Sequence, residues 1–251
     1  MFDSQTYTLP NGINIFFTDS GAPPNSDDYT TVVVLHGSAF NGSTFDKIHD
    51  YAHKYNIRVV VWNRRDYRGS TELTDAEIDD LNKGKKSFLD MLAAQMADFL
   101  KLLIEKEKIP RVQNNAGGIA LMGWSMGAAS TMPFFADPAV IKPEIYEILE
   151  PYVKNLILLD PPATAIGYQE ISTQKIYDPW YDPEYKTPAE QFQNFCSWVS
   201  SYYEHPDLES YPPVFNEHKG DMTNATITKW SKEEFDKFYD EKAAVRSEYG
   251  M

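Results

Sequence analysis

Ser125 has the sequence setting best suited to chemistry. It stands in Gly123-Trp124-Ser125-Met126-Gly127, directly after the apolar run 119–122 and ahead of a helical segment. A serine at the tip of a tight strand-to-helix turn has its hydroxyl lifted clear of the sheet, and the flanking positions must be small because strand and helix nearly touch. Gly123 and Gly127 meet that need, and Ser125 is a candidate nucleophile. A second motif, His36-Gly37-Ser38, ends an earlier apolar run at 31–35. Backbone N–H groups of Ser38 or Ala39, with that of Met126, would stabilise the charge on a tetrahedral intermediate. His36 itself reads as structural, held by backbone hydrogen bonds. The plainer alternative for both motifs is a glycine turn with no chemistry.

The elements around these motifs predict an α/β fold. Residues 6–9 and 13–17 flank Pro10-Asn11-Gly12 as an antiparallel hairpin, because Asn-Gly tolerates the positive φ of a tight turn. Runs at 31–35, 57–62, 118–122 and 153–159 are short and largely apolar, as strands covered on both faces are. Helical spacing marks 44–55 and 87–108, the latter with Ser87 as N-cap, and a further helix is expected at 126–136, between the runs 118–122 and 153–159. The alternation implies a mostly parallel central sheet. Beyond Pro161, aromatics, prolines and acids dominate, and two helices are expected at 189–203 and 232–248, the latter opened by a Ser231/Glu234 capping box. The chain therefore divides into a core, 1–165, and a helical cap or lid, 166–251.

Composition excludes several function classes. A formal net charge of -14 repels polyanions and no long basic run offsets it, so nucleic acid is not an expected partner. No apolar run is long enough to span a bilayer, and the N-terminus lacks the pattern of a signal peptide. Cys196 is the single cysteine, which rules out an internal disulfide and fits a reducing, cytoplasmic setting.

The stretches TVVVLHGSAFNG, RVVVWNRRDYRGST, IALMGWSMGAAS and LILLDPP resemble the α/β-hydrolase superfamily, especially AB-hydrolase-1 proteins common in fungi. The resemblance covers residues 5 to 165, and less specifically WVSSYYEHPDL and AAVRSEY in the cap. It implies an α/β-hydrolase fold and cleavage of an ester, thioester, amide or related bond without metal or organic cofactor. The stretch from Asn63 to Ser70 departs from the superfamily's D-x-R-G-x-G-x-S loop. Its arginines read as structural, with the alternative that they receive a carboxylate-bearing substrate.

A nucleophilic serine needs a base and an acid, in this superfamily in the order Ser, Asp or Glu, His. Asp160 ends the run 153–159 at the carboxyl edge of the sheet and is the best acid candidate, with a turn before Pro161-Pro162 as its structural alternative. Only His205 and His218 follow Ser125, and neither follows a buried strand. The superfamily's last two strands and its histidine are expected to be missing, as if the chain were truncated; His205 is the base if the chain is complete. One sheet edge would then lie open to self-association. The cap aromatics, including Tyr177, Trp180, Tyr181, Tyr185, Phe192, Phe195, Trp198, Tyr202 and Tyr203, would form an apolar lid over a small hydrophobic substrate. The expected function is a serine-nucleophile hydrolase, esterase- or lipase-like. The alternative is a catalytically incomplete homologue that binds a small apolar ligand.

Overall fold

A computed structural model describes residues 2–168, 177–211, 213–216 and 220–248. The chain opens with the antiparallel pair β1 (Asp3–Thr8) and β2 (Asn14–Asp19), joined through Pro10–Gly12 with Asn11 at φ 70°. There follow β3 (Thr30–Leu35), α1 (Asp46–Ala52), β4 (Ile57–Trp62), α2 (Asp75–Asn82), α3 (Lys86–Lys106) and β5 (Ile119–Trp124). Then come α4 (Gly127–Thr131), α5 (Pro133–Ala136), α6 (Pro143–Leu149), β6 (Val153–Leu159), α7 (Pro188–Val199) and α8 (Lys232–Phe238). The described residues close with one helical turn, Glu241–Ala243, running into a π-helix at Ala244–Glu248.

The six strands lie in the order β1-β2-β4-β3-β5-β6, with β4, β3, β5 and β6 parallel and the hairpin antiparallel at one edge. Alternate residues of a strand point to opposite faces. Val33, Leu35, Val60, Trp62, Ile119 and Leu121 accordingly meet Met96, Phe99, Leu100 and Leu103 of α3, together with Phe134, Ile145 and Leu149 of α5 and α6. Val34, Val59 and Val61 meet Ala52 of α1, with Phe45 and Ile48 against them. Burying each of the large side chains contributes about 1.5–3 kcal/mol relative to exposure. Both faces of the central strands are covered, which is why their sequences read as continuous apolar runs.

Several expected elements change form. The helix expected at 126–136 is interrupted at Pro133, which cannot donate a backbone hydrogen bond, and becomes α4 and α5. The helix expected at 232–248 stops at Phe238, and Tyr239 and Asp240 adopt extended or irregular backbone before the chain turns again. Ser87 does not cap α3: the helix begins at Lys86 with Lys85 as N-cap, and the Ser87 hydroxyl donates to Asp80 at 2.8 Å. Among the described residues no strand of the sheet follows β6, which forms its second edge. Ile157, Leu158 and Leu159 are 40%, 38% and 44% exposed, so the apolar end of that strand is bare on both faces.

Candidate active site

β5 delivers Ser125 at the carboxyl end of the central sheet. Its φ of 51° is left-handed, a conformation that costs a non-glycine residue roughly 1–2 kcal/mol. The turn is fixed on both sides, because the Ser125 N–H donates to the Leu159 carbonyl at 2.9 Å and its carbonyl accepts the Ala128 N–H at 2.9 Å. Both flanking glycines are forced by close approach. A Cβ on Gly123 would lie 2.5 Å from Thr131 Oγ1 and 2.6 Å from the Ala128 backbone; one on Gly127 would lie 2.3 Å from the Leu35 carbonyl oxygen. Trp124 and Met126 are half-buried beside the serine, and the Trp124 ring meets Phe45 edge-on at 5.5 Å.

The loop after β3 lies directly against this turn. A Cβ on Gly37 would sit 2.9 Å from Ser125 Cβ and 3.4 Å from Oγ. Among the described residues the Ser38 and Met126 N–H groups donate to no backbone or side-chain acceptor. Ala39 is different. It is buried at φ 66° and its N–H donates to the Tyr67 hydroxyl at 2.9 Å, which corrects the expectation that it serves an oxyanion. Asp160 directly follows Leu159, the β6 residue that pairs with Trp124 and accepts the Ser125 N–H, so both Ser125 and Asp160 leave the sheet at its carboxyl end. It too has positive φ, 47°, is exposed, and makes no hydrogen bond within the described residues.

A family model described as "Alpha/beta hydrolase family" matches residues 32–245. The chain belongs to the alpha/beta hydrolase family. No curated protein sequence matches it. Similar solved structures include a thioesterase domain from the curacin biosynthetic pathway, 17% identical over 82% of this chain and 55% of that one, TM-score 0.41. An epoxide hydrolase is 13% identical over 71% and 47%, TM-score 0.41. An esterase from Exiguobacterium antarcticum is 18% identical over 62% and 44%, TM-score 0.39. The chain spans about half the length of these solved structures.

His36 is fully buried; its Nε2 accepts the Arg64 backbone N–H at 3.1 Å, which places the ring proton on Nδ1, donating to the Gly37 carbonyl at 2.9 Å. Burial, reinforced by the Arg64 charge, holds its pKa well below the usual histidine value, so the ring is neutral and structural. His49 bonds Thr18 and His53 bonds the Ser20 carbonyl. His205 is exposed on the cap, where its Nδ1 accepts the Asn216 N–H at 3.0 Å and its ring meets Phe215 edge-on. None of these four hydrogen-bonds Ser125, and His218 lies outside the described residues. Among the described residues no group of three His, Cys, Asp or Glu is arranged to hold a metal ion.

Two of the loop's three arginines, Arg64 and Arg65, are buried and paired within the protein, which favours a structural role for them, while Arg68 is exposed. Arg65 pairs with Glu77 at 2.6 Å and donates to the Thr71 and Glu72 carbonyls; Arg68 donates to the Asp236 carbonyl at 2.7 Å. Arg64 is buried against Glu248 and donates to the Gly37 carbonyl at 2.9 Å. Burial opposes the Arg64 charge, but the Glu248 carboxylate outweighs it and the pKa is raised. Tyr67, also buried, donates to Glu248 at 2.9 Å; burial and that carboxylate push its hydroxyl well above the ordinary range, so it stays protonated. Sequence reasoning missed Tyr67 and Glu248 as site neighbours, although NRRDYRGS and AAVRSEY were the stretches that carried them.

The aromatic cap divides in two. Trp180 stacks on Phe195 at 4.4 Å and meets Phe192 edge-on, and this cluster, with Trp230, Phe235, Phe238 and Tyr239, packs on Ala39 and Phe40 of the loop beside Ser125. Tyr181 and Tyr202, by contrast, are 85% and 78% exposed and line no apolar lid.

Proposed function

We infer that this chain is a serine-nucleophile hydrolase acting on a small, hydrophobic, ester-like substrate. The observation that carries the reading is Ser125, held at φ 51° at the carboxyl end of β5 with the Gly37 loop packed against it. In this mechanism a histidine base, for which His205 of the cap is the candidate, takes the Ser125 hydroxyl proton as Oγ attacks the carbonyl carbon, and the N–H groups of Ser38 and Met126 receive the developing oxyanion. Asp160, one strand away, is the acid that orients the base. The aromatic cluster of Trp180, Phe192 and Phe195 gives the cap, residues 166–251, an apolar interior over the core of residues 1–165. The single, buried Cys196 suits a cytoplasmic setting; among the described residues no helix is long and apolar enough to cross a membrane.

A second reading follows from one observation: none of the four described histidines hydrogen-bonds Ser125. It makes the chain a binding protein for a small apolar ligand. Fluorophosphonate labelling with peptide mapping separates the two, because modification requires an activated hydroxyl. Labelling of Ser125, lost in Ser125→Ala, supports the hydrolase. Loss of labelling in His205→Ala would identify a base supplied by the cap. An unreactive Ser125, together with saturable binding of an apolar probe, supports the binding protein.

A further inference from the structure

The segment 236–248 returns from the cap and fastens onto the loop beside Ser125. The Asn41 N–H donates to the Phe238 carbonyl at 2.8 Å, and the Asp240 N–H donates to the Ala39 carbonyl at 3.0 Å. Asn41 Nδ2 donates to the Lys237 carbonyl at 2.9 Å, and Phe40 bridges to Tyr239. At the end of this segment Glu248 has a side chain only 1% exposed.

The carboxylate of Glu248 bonds Ser38 directly and is linked to Gly37 and Ala39 through Arg64 and Tyr67. Its Oε2 accepts the Ser38 hydroxyl proton at 2.7 Å. Its Oε1 accepts the Tyr67 hydroxyl proton at 2.9 Å. A phenol has one proton, so with that proton directed at Glu248 the Tyr67 oxygen is left as the acceptor for the Ala39 N–H, 2.9 Å away. Glu248 also pairs with Arg64, whose guanidinium holds the Gly37 carbonyl. Ala39 sits at φ 66°, a conformation that alanine keeps only where its surroundings over-determine it. These bonds supply that determination, drawing the Ala39 N–H inward and leaving the Ser38 N–H as the loop's donor.

The geometry points to Glu248 as a positioning residue that sets the oxyanion loop, Gly37 to Ala39, for the reaction at Ser125. This rests on the serine-hydrolase reading for its catalytic meaning. The competing account is that Glu248 only neutralises the buried Arg64.

The test uses the whole chain and three variants. Glu248→Gln removes the charge and carries the risk that an unpaired buried Arg64 prevents folding. Tyr67→Phe and Ser38→Ala keep the ion pair and cut single links to the loop. Hydrogen exchange followed by mass spectrometry on peptides covering 37–41 is read against exchange in β3 and β4. In Tyr67→Phe and in folded Glu248→Gln, exchange at Ala39 should rise about tenfold or more while β3 and β4 stay protected, the size expected for one lost hydrogen bond. The same variants and Ser38→Ala should lower the maximal rate of fluorophosphonate modification of Ser125 about tenfold, with half-saturation within about twofold of wild type. Unchanged Ala39 exchange in Tyr67→Phe overturns the proposal. So does a modification rate that is unchanged when exchange rises. If wild-type Ser125 is not modified at all, the hydrolase reading fails, and the exchange measurement alone decides whether Glu248 positions the loop.

Discussion

Ser125, Ala39 and Asp160 all have positive φ around one site, and strain at that density is where stability and reactivity trade against each other. Ser125→Gly should relieve the left-handed penalty and raise unfolding stability by about 1 kcal/mol in urea melts, while abolishing any fluorophosphonate reaction. A destabilised Ser125→Gly would show that the serine's own contacts outweigh its backbone strain. Gly123→Ala should act the other way: its Cβ meets the Ala128 backbone at 2.6 Å, and overpacking of this kind costs roughly 1–3 kcal/mol. His36 gives a pH signature. Its native pKa lies well below the unfolded value near 6.5, so as pH falls past 6.5 the unfolded chain takes up a proton that the native chain refuses. Stability should then fall with a slope of up to about 1.4 kcal/mol per pH unit from this group, on top of the carboxylates. His36→Gln, which keeps an acceptor for the Arg64 N–H, should have a shallower slope between pH 6.5 and 5; parallel slopes in denaturant titrations would count against a buried neutral His36. At this scale the serine and its glycines were legible, since their types and spacing are local requirements of one turn. Glu248 was not, because its burial depends on partners up to 210 positions away in the chain.

At the scale of elements, the strands were legible wherever burial on both faces leaves an uninterrupted apolar run, and helix ends were legible only where the cap closes on itself. Thr187 and Ser231 both form reciprocal capping boxes, with Glu190 and Glu234. Ser87 is equally suitable in type and position ahead of the longest helix, yet its hydroxyl turns to Asp80 of α2, a helix opened by its own Thr74/Glu77 box and marked by no apolar stripe in the sequence. A capping residue is thus chosen by competition with nearby acceptors, which spacing alone does not reveal. Thr187→Ala should destabilise α7 by about 1 kcal/mol, seen as faster exchange of its first turn, whereas Ser87→Ala should change stability by less than about 0.5 kcal/mol. A larger loss from Ser87→Ala would mean that the side chain supports the start of α3 after all. The break at Tyr239 and Asp240 carries more weight, because a continuous helix there would deny Ala39 and Asn41 their backbone partners in the cap.

For the whole molecule, two features of very different range oppose each other. A net charge of -14 favours separation of copies, yet that repulsion is screened beyond roughly 8 Å at physiological ionic strength. The bare end of β6 acts at contact distance: Ile157, Leu158 and Leu159 present apolar side chains on both faces of a strand whose outer edge is unpaired among the described residues. Edge strands of this kind pair with one another unless charge or proline blunts them, and none of these three residues does so. Added salt should weaken the repulsion and leave strand pairing intact, so self-association should grow with ionic strength. In sedimentation velocity over a concentration series, the wild-type weight-average coefficient should rise with concentration and more steeply at high salt. Ile157→Lys, which puts a charge on the open edge, should flatten both trends. Wild-type chain that stays monomeric throughout would show that the repulsion wins; association that survives Ile157→Lys would place the contact elsewhere on the surface.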